Sequence, residues 1–279
     1  MTLQGATEAR IKAPSSYSTL LVERPTDQIV LAHMNRPARL NAITPAMFED
    51  FVSLQQEVES DNAVRVLILT GSGRGFCSGL DLDEAGDLPA MPAAVMLRNQ
   101  ESWARSVAGF RDLSKPVIAA VNGAAAGAGM GLALAADIRI AAAAAKFNAA
   151  FIKIGLSGGD VGTSYFLPRL VGLGRATEIL LTGRFVDAQE ALSIGLVTQV
   201  VADGALIEEA LAVAELICAN SPTGIELTKQ VLRANVDAPS LDAALALENT
   251  SQVLATRTTD MAEALASFHE KRRPSFVGY

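Results

Sequence analysis

Residues 116–137 read PVIAAVNGAAAGAGMGLALAAD, and this stretch decides the fold. Val117–Val121 is a short apolar run of the kind that forms a strand buried on both faces. It stops at Asn122-Gly123, and Gly127, Gly129 and Gly131 then lead into an Ala/Leu-rich helix. Between Gly123 and Gly131 the only side chain larger than a methyl group is Met130. Such a run lets something come close to the backbone, at a helix start whose first N–H groups have no partner inside the helix. Donors of this kind bind an anion, or a carbonyl oxygen that is becoming an oxyanion. Tight helix packing is the other reading of a Gly/Ala run. Nucleotide loops are excluded: the third glycine of G-x-G-x-x-G is out of register, with Leu132 in its place, and no Gly-Lys-Ser/Thr occurs in the chain.

Composition narrows the function classes. The chain has 279 residues, enough for one sizeable core with a small helical appendage. Half of the residues are hydrophobic, yet no apolar run reaches membrane-spanning length. A net charge of −7 argues against a nucleic-acid partner. Cys77 and Cys218 are too few for a disulfide framework, and His33 and His269 too few for a histidine metal cluster, so no metal is expected. The first 18 residues are polar, lack the apolar segment of a secretory signal, and read as a flexible tail. A cytoplasmic protein is the expectation.

Along the chain, Leu20–Glu23 and Ile29–His33 read as a hairpin, and residues 42–60 as a helix with Thr44 as cap and Pro45 in its first turn. Val64–Thr70 is a buried strand, Glu84–Pro92 a mobile loop, and Ala93–Leu113 a helix before the Val117–Val121 strand. Ile138–Ala142 and Lys146–Asn148 are short strands, Gly155–Gly162 a glycine-interrupted loop, and Val197–Val200 a last strand after a helix capped by Asp187. Strands alternating with helices imply parallel crossovers, hence an α/β class. From residue 205 the pattern is helical only, with helices at 205–219, 222–234, 241–255 and 260–271. The expected division is an α/β core over 19–203 and a helical portion over 204–279.

FCSGLDL (76–82) together with KPVIAAVNGAAAGAGMGLALAADIRIA (115–141) resembles the crotonase, or enoyl-CoA hydratase/isomerase, superfamily. HMNRPARLNAIT (33–44), LTGRFVDAQEALSIGLVTQVV (181–201) and FHEKRRPSF (268–276) match in the same order, so the likeness spans all but the first twenty or so residues. The resemblance implies a spiral of ββα turns, a C-terminal helical portion supporting a homotrimer or dimer of trimers, and an acyl-CoA thioester as substrate, with coenzyme A part of that substrate and no separate cofactor. It implies an oxyanion hole made by the backbone N–H groups of Leu80 and Ala128, flanked by Gly79, Leu82, Gly127, Gly129 and Gly131. It places Arg36, Ala38, Arg39, Leu40 and Ala42 along the coenzyme, with Phe268 and Lys271 covering it from the C-terminal helix. The two positions where hydratases of the family carry glutamates are Gly131 and Phe151, neither able to move a proton.

Asp160, in GLSGGDVGTSYFLPRLVG (155–172), looks like the aspartate of some isomerase and dehalogenase relatives. The histidine that dehalogenation needs is missing around Trp103–Ala104. Asp160 is the candidate acid/base; its other reading is a helix cap for the segment from Val161. Asp81 and Asp83 are expected as surface charges that could reach the nucleotide, and Trp103, Met96 and Leu97 as core or acyl-pocket residues, core favoured. One base suffices for a 1,3-proton shift, so double-bond isomerisation is favoured over hydration. An acyl-CoA-binding protein without turnover is the alternative.

Overall fold

The computed structural model describes residues 17–278; all but the last two residues of the expected N-terminal tail lie outside them. The chain enters as a hairpin, β1 (Leu20–Thr26) and β2 (Ile29–Met34). Helix α1 (Pro45–Ser60) follows, with Thr44 capping Met47 N–H and Pro45 at the start as expected. It begins three residues later than residue 42 because Ile43 is held in extended form, its N–H donating to Gly79 O and its carbonyl accepting from Asp81 N–H. Three strand–strand turns then stack: β3 (Val66–Gly71) with β4 (Gly75–Cys77), β5 (Val117–Val121) with β6 (Ala124–Ala126), and β7 (Ile138–Ala142) with β8 (Lys146–Asn148). Helix α2 (Ala93–Asp112) joins the first turn to the second, and α3 (Ala128–Ala135) the second to the third.

Each turn thus contributes one strand to a six-stranded sheet, ordered β1-β2-β3-β5-β7-β10 with β10 at Gln199–Val201, and one to a four-stranded sheet, ordered β4-β6-β8-β9 with β9 at Val186–Asp187. Pairing within the stack is parallel, with Leu67 opposite Val117, Ile118 opposite Ile138, and Ala124 opposite Lys146. This is the ββα spiral that the resemblance implies. The central strands β3 and β5 of the larger sheet are buried on both faces, which is why Val117–Val121 reads as an unbroken apolar run.

After β8 come α4 (Thr163–Val171), α5 (Leu173–Thr182), the two-residue β9 (Val186–Asp187), α6 (Ala188–Ser193) and β10 (Gln199–Val201). Asp187 caps α6 as expected, accepting from Glu190 N–H at 2.8 Å. Helices α7 (Leu206–Cys218), α8 (Pro222–Asn235), α9 (Leu241–Ala255) and α10 (Thr259–Glu270) complete the chain, each within a residue or so of its expected bounds. Leu206, Ala210 and Ala214 of α7 pack on Ile29, Ile68 and Ile140 of the large sheet, so this helix closes the outer face of the sheet. Among the described residues no helix is long and apolar enough to cross a membrane.

Candidate active site

The site forms where α3 starts. Glycine 129 is required there: a Cβ on it would stand 2.0 Å from the carbonyl oxygen of Cys77, so α3 presses directly onto β4. The close approach that the glycine run predicts is therefore, at this position, to protein. The same holds at Gly131, whose Cβ would meet Val161 Cγ2 at 2.4 Å. Of the three, Gly127, in a positive-φ conformation (φ 52°), lines the cavity, where a Cβ would meet the Phe151 ring at an ordinary contact distance of 3.6 Å. Opposite it, Gly79 (φ 92°) brings its own turn so near that a Cβ would lie 2.8 Å from Ala126 O and 3.4 Å from Ala128 N. The N–H groups of Leu80 and Ala128 thus belong to two turns in contact, and neither donates to a protein acceptor among the described residues. Leu80 is fixed from both sides, since Gly79 O and Asp81 N–H both pair with Ile43. Ala128 is the first residue of α3, where an N–H has no helical partner.

Both turns line a cavity of about 630 Å³. Its walls are mostly apolar, with Leu82, Leu88, Met96, Trp103, Phe151 and Leu156 contributing. Trp103 stacks on Phe48 with ring centroids 5.5 Å apart. Trp103 thus both packs on the core and lines the cavity, Met96 lines the cavity, and Leu97 is exposed.

Among the residues lining that cavity Asp160 alone carries an ionisable side chain. Its Oδ1 accepts from the Val161 N–H at 2.7 Å and from Gln100 Nε2 at 2.5 Å, and no protein donor among the described residues reaches Oδ2. Burial pushes this carboxyl above the ordinary aspartate range, and the Val161 and Gln100 hydrogen bonds oppose that rise. Asp160 is not the side-chain cap of α4. The cap position is Gly162, and Thr163 N–H is taken by the Asp160 main-chain carbonyl. The reason is Val161, whose φ of 40° turns the chain sharply between the aspartate and the helix. A β-branched residue in this region is strained, and it is held there by its own side chain packing on Gly131.

The residues expected along the coenzyme form a turn braced by a buried carboxylate. Asp81, expected at the surface, is 2% exposed. It accepts from Arg36 Nη1 at 2.8 Å and from Arg39 Nη2 at 3.0 Å. Burial works to raise its carboxyl, but the Arg39 and Arg36 hydrogen bonds and the Asp83 N–H outweigh it and hold the group below the usual range. Arg36 also donates to Ala42 O, so it buttresses the turn from inside; Arg39 is more exposed and pairs with Asp83 as well. Leu40 and Asn41 carry positive φ (50° and 57°), and Asn41 Nδ2 ties that turn to Ser72 O and Gly75 O. Ala38 lies on the exposed outer side of the turn. Phe268, 79% exposed, and Lys271, just past the end of α10, do not line the cavity.

Gln100, Val161 and Asn41 are functional candidates that sequence reading misses. Gln100 has one usable signal: it precedes Trp103 by three residues and so shares its helix face.

The sequence model of the enoyl-CoA hydratase/isomerase family matches residues 25–278. A probable enoyl-CoA hydratase of Mycobacterium tuberculosis is 43% identical over 271 residues, covering 94% of each chain. The 1,2-epoxyphenylacetyl-CoA isomerase of Escherichia coli is 40% identical over 246 residues, 88% of this chain and 93% of that one. The crystal structure of a probable enoyl-CoA hydratase/isomerase from Mycobacterium abscessus superposes with a TM-score of 0.85 at 42% identity, covering 93% of this chain and 98% of the other. With the spiral fold, the paired backbone turns and this likeness along nearly its whole length, the chain belongs to the enoyl-CoA hydratase/isomerase family and is an enzyme of that family.

Proposed function

We infer that this protein isomerises a double bond in an acyl-CoA thioester, using Asp160 as its single acid/base. The observation that carries this reading is that Asp160 is the one ionisable side chain lining the cavity onto which the Leu80 and Ala128 turns open. The thioester oxygen sits against the Leu80 and Ala128 N–H groups, where the negative charge of an enolate is stabilised by donors already in place. Asp160 Oδ2 removes a proton from the carbon between the thioester and the double bond. The charge spreads over a dienolate, and the same carboxyl returns the proton two carbons further along. Hydration would need a second group to deliver water. Gly131 has no side chain and is closed over by Val161, while Phe151 puts an apolar ring there instead. On the coenzyme side, Arg39 is the more accessible cation for a phosphate: both arginines pair with Asp81, but Arg39 is 48% exposed and Arg36 only 23%, with Arg36 also held by Ala42 O. No cofactor is needed beyond the coenzyme A of the substrate.

A panel of 2-enoyl-, 3-enoyl- and dienoyl-CoA thioesters, followed by mass spectrometry and NMR, tests the reading. Isomerisation leaves the mass unchanged and, in D2O, incorporates deuterium; hydration adds the mass of water. Hydration of crotonyl-CoA with a kcat on the order of 10³ s⁻¹ overturns it. Tight thioester binding with no turnover anywhere on the panel would establish instead an acyl-CoA-binding protein on this scaffold, the reading that the residues at 131 and 151 otherwise favour.

A further inference from the structure

The acid/base carboxylate of the preceding section is not left to find its own orientation. Gln100 projects from α2 into the cavity wall, and its Nε2 donates to Asp160 Oδ1 at 2.5 Å. The Val161 N–H donates to the same oxygen at 2.7 Å, from a backbone fixed at positive φ and packed on Gly131. Two donors from two different elements thus converge on one oxygen, while Oδ2 has no protein donor among the described residues. A carboxylate pinned in this way can rotate neither oxygen away from the substrate without breaking a charge-assisted hydrogen bond.

We propose that Gln100 is a positioning residue for proton transfer, holding the Asp160 carboxyl turned so that Oδ2 faces the acyl chain. The proposal rests on Asp160 being the acid/base. Its physical content is a balance of two effects. Burial disfavours the charged carboxylate, and a donor on Oδ1 favours it. An amide suits this role because it stays neutral at every working pH and cannot itself take the proton. The face of α2 that carries Gln100 also carries Trp103, so the positioning group and a wall of the acyl cavity move as one rigid piece.

The test compares Q100M with Q100E and D160N, using the pH dependence of kcat/KM on whichever thioester the wild type turns over. Methionine keeps the length and most of the volume of Gln100 but has no donor. Q100M is expected to keep KM within about twofold, lower kcat by roughly ten- to a hundredfold, and move the acid limb of the profile upward by about one pH unit, the scale of one charge-assisted hydrogen bond. Activity should therefore recover in part as pH rises, which a general packing defect would not produce. Q100E places a second carboxyl on Oδ1, so the pair must share a proton and the acid limb should move further up. If D160N is inactive while Q100M shows an unmoved acid limb and wild-type kcat, Gln100 has no positioning role and the proposal fails. If D160N is as active as the wild type, the assignment of Asp160 fails instead. Should Q100M prove poorly folded by circular dichroism, Q100L, which also lacks a donor and adds no charge, is read by the same limb, and an unmoved limb with wild-type kcat overturns the proposal.

Discussion

Asp160 carries a cost that the proposed acid/base role accounts for. Its carboxyl is raised by burial, and the Val161 and Gln100 hydrogen bonds only partly offset this, so the folded chain holds that proton to higher pH than the unfolded chain. A raised carboxyl contributes its stability below the unfolded aspartate range and loses it as pH rises through the folded value. At neutral pH the wild type is therefore under strain that Asn does not share. D160N should lose about 10²- to 10⁴-fold in kcat while keeping thioester affinity. In urea unfolding it should be as stable as the wild type or more so at neutral pH, with the difference vanishing under acid conditions. Gly131 gives a second test at this scale. Its Cβ would lie 2.4 Å from a Val161 methyl that strained backbone prevents from yielding, so G131A should cost about 1–3 kcal/mol by chemical denaturation.

At the scale of elements, two contacts set how the site is framed. Helix α8 is anchored by Lys229, 6% exposed, whose Nζ donates to Asp137 Oδ2 at 2.7 Å and to Lys115 O at 2.8 Å. Burial pulls this lysine below its usual range, with Asp137 working against the shift. Asp137 Oδ2 also accepts from Val117 N–H, so the pair ties α8 to the first residue of β5. K229M removes the cation but leaves Asp137 that backbone donor, and Asp137 is itself partly solvated. The expected loss is about 2 kcal/mol in a denaturant midpoint series, less than for a fully buried pair. The second contact is the segment after Asp81. Expected as a mobile loop, Glu84–Pro92 is a chain of turns with a short 3₁₀ helix at Leu88–Ala90, and Leu88 and Pro89 reach the cavity that Asp160 lines. Acyl-CoA binding should protect it: limited proteolysis within 84–92 should slow at least severalfold with thioester present. Equal cleavage with and without ligand contradicts ordering of this segment on the thioester.

For the whole molecule the question is what covers its apolar exterior. Leu173 and Leu181 of α5 are 73% and 71% exposed, Phe185 stands out beyond them, and Leu232, Leu241 and Phe268 extend the exposed set over the C-terminal helices. Large apolar side chains exposed in this number are characteristic of surfaces that pair with another copy. A homotrimer or a dimer of trimers is the expected assembly, and light scattering at micromolar concentration checks it. A monomer there contradicts the expectation. Replacing Leu173 and Leu181 together with lysine should shift the population toward smaller species without unfolding the spiral, because neither side chain enters the core.

The spiral core was legible in the chain because its signals are local. Val117–Val121 is apolar throughout because both sheet faces are covered, and the caps at Thr44 and Asp187 announce helices through their own hydrogen bonds. Strands β4 and β6, three residues each, left no periodicity to read, and the Ala-rich segment 124–126 is a strand only because neighbouring turns pair with it. Helix α5 gives no local signal for a related reason, glycines interrupting its pattern, and α4, legible only as the segment that Asp160 could cap, is broken by Pro168. Residue identity also settled that neither Gly131 nor Phe151 can move a proton, and that Asp160 can. The burial of Asp81 between two arginines, the grip of Gln100 on Asp160, and the use of Gly129 and Gly131 to admit Cys77 and Val161 were decided by tertiary structure alone. Each joins atoms 30 to 60 residues apart, and no local rule of propensity or spacing states which distant group will meet which.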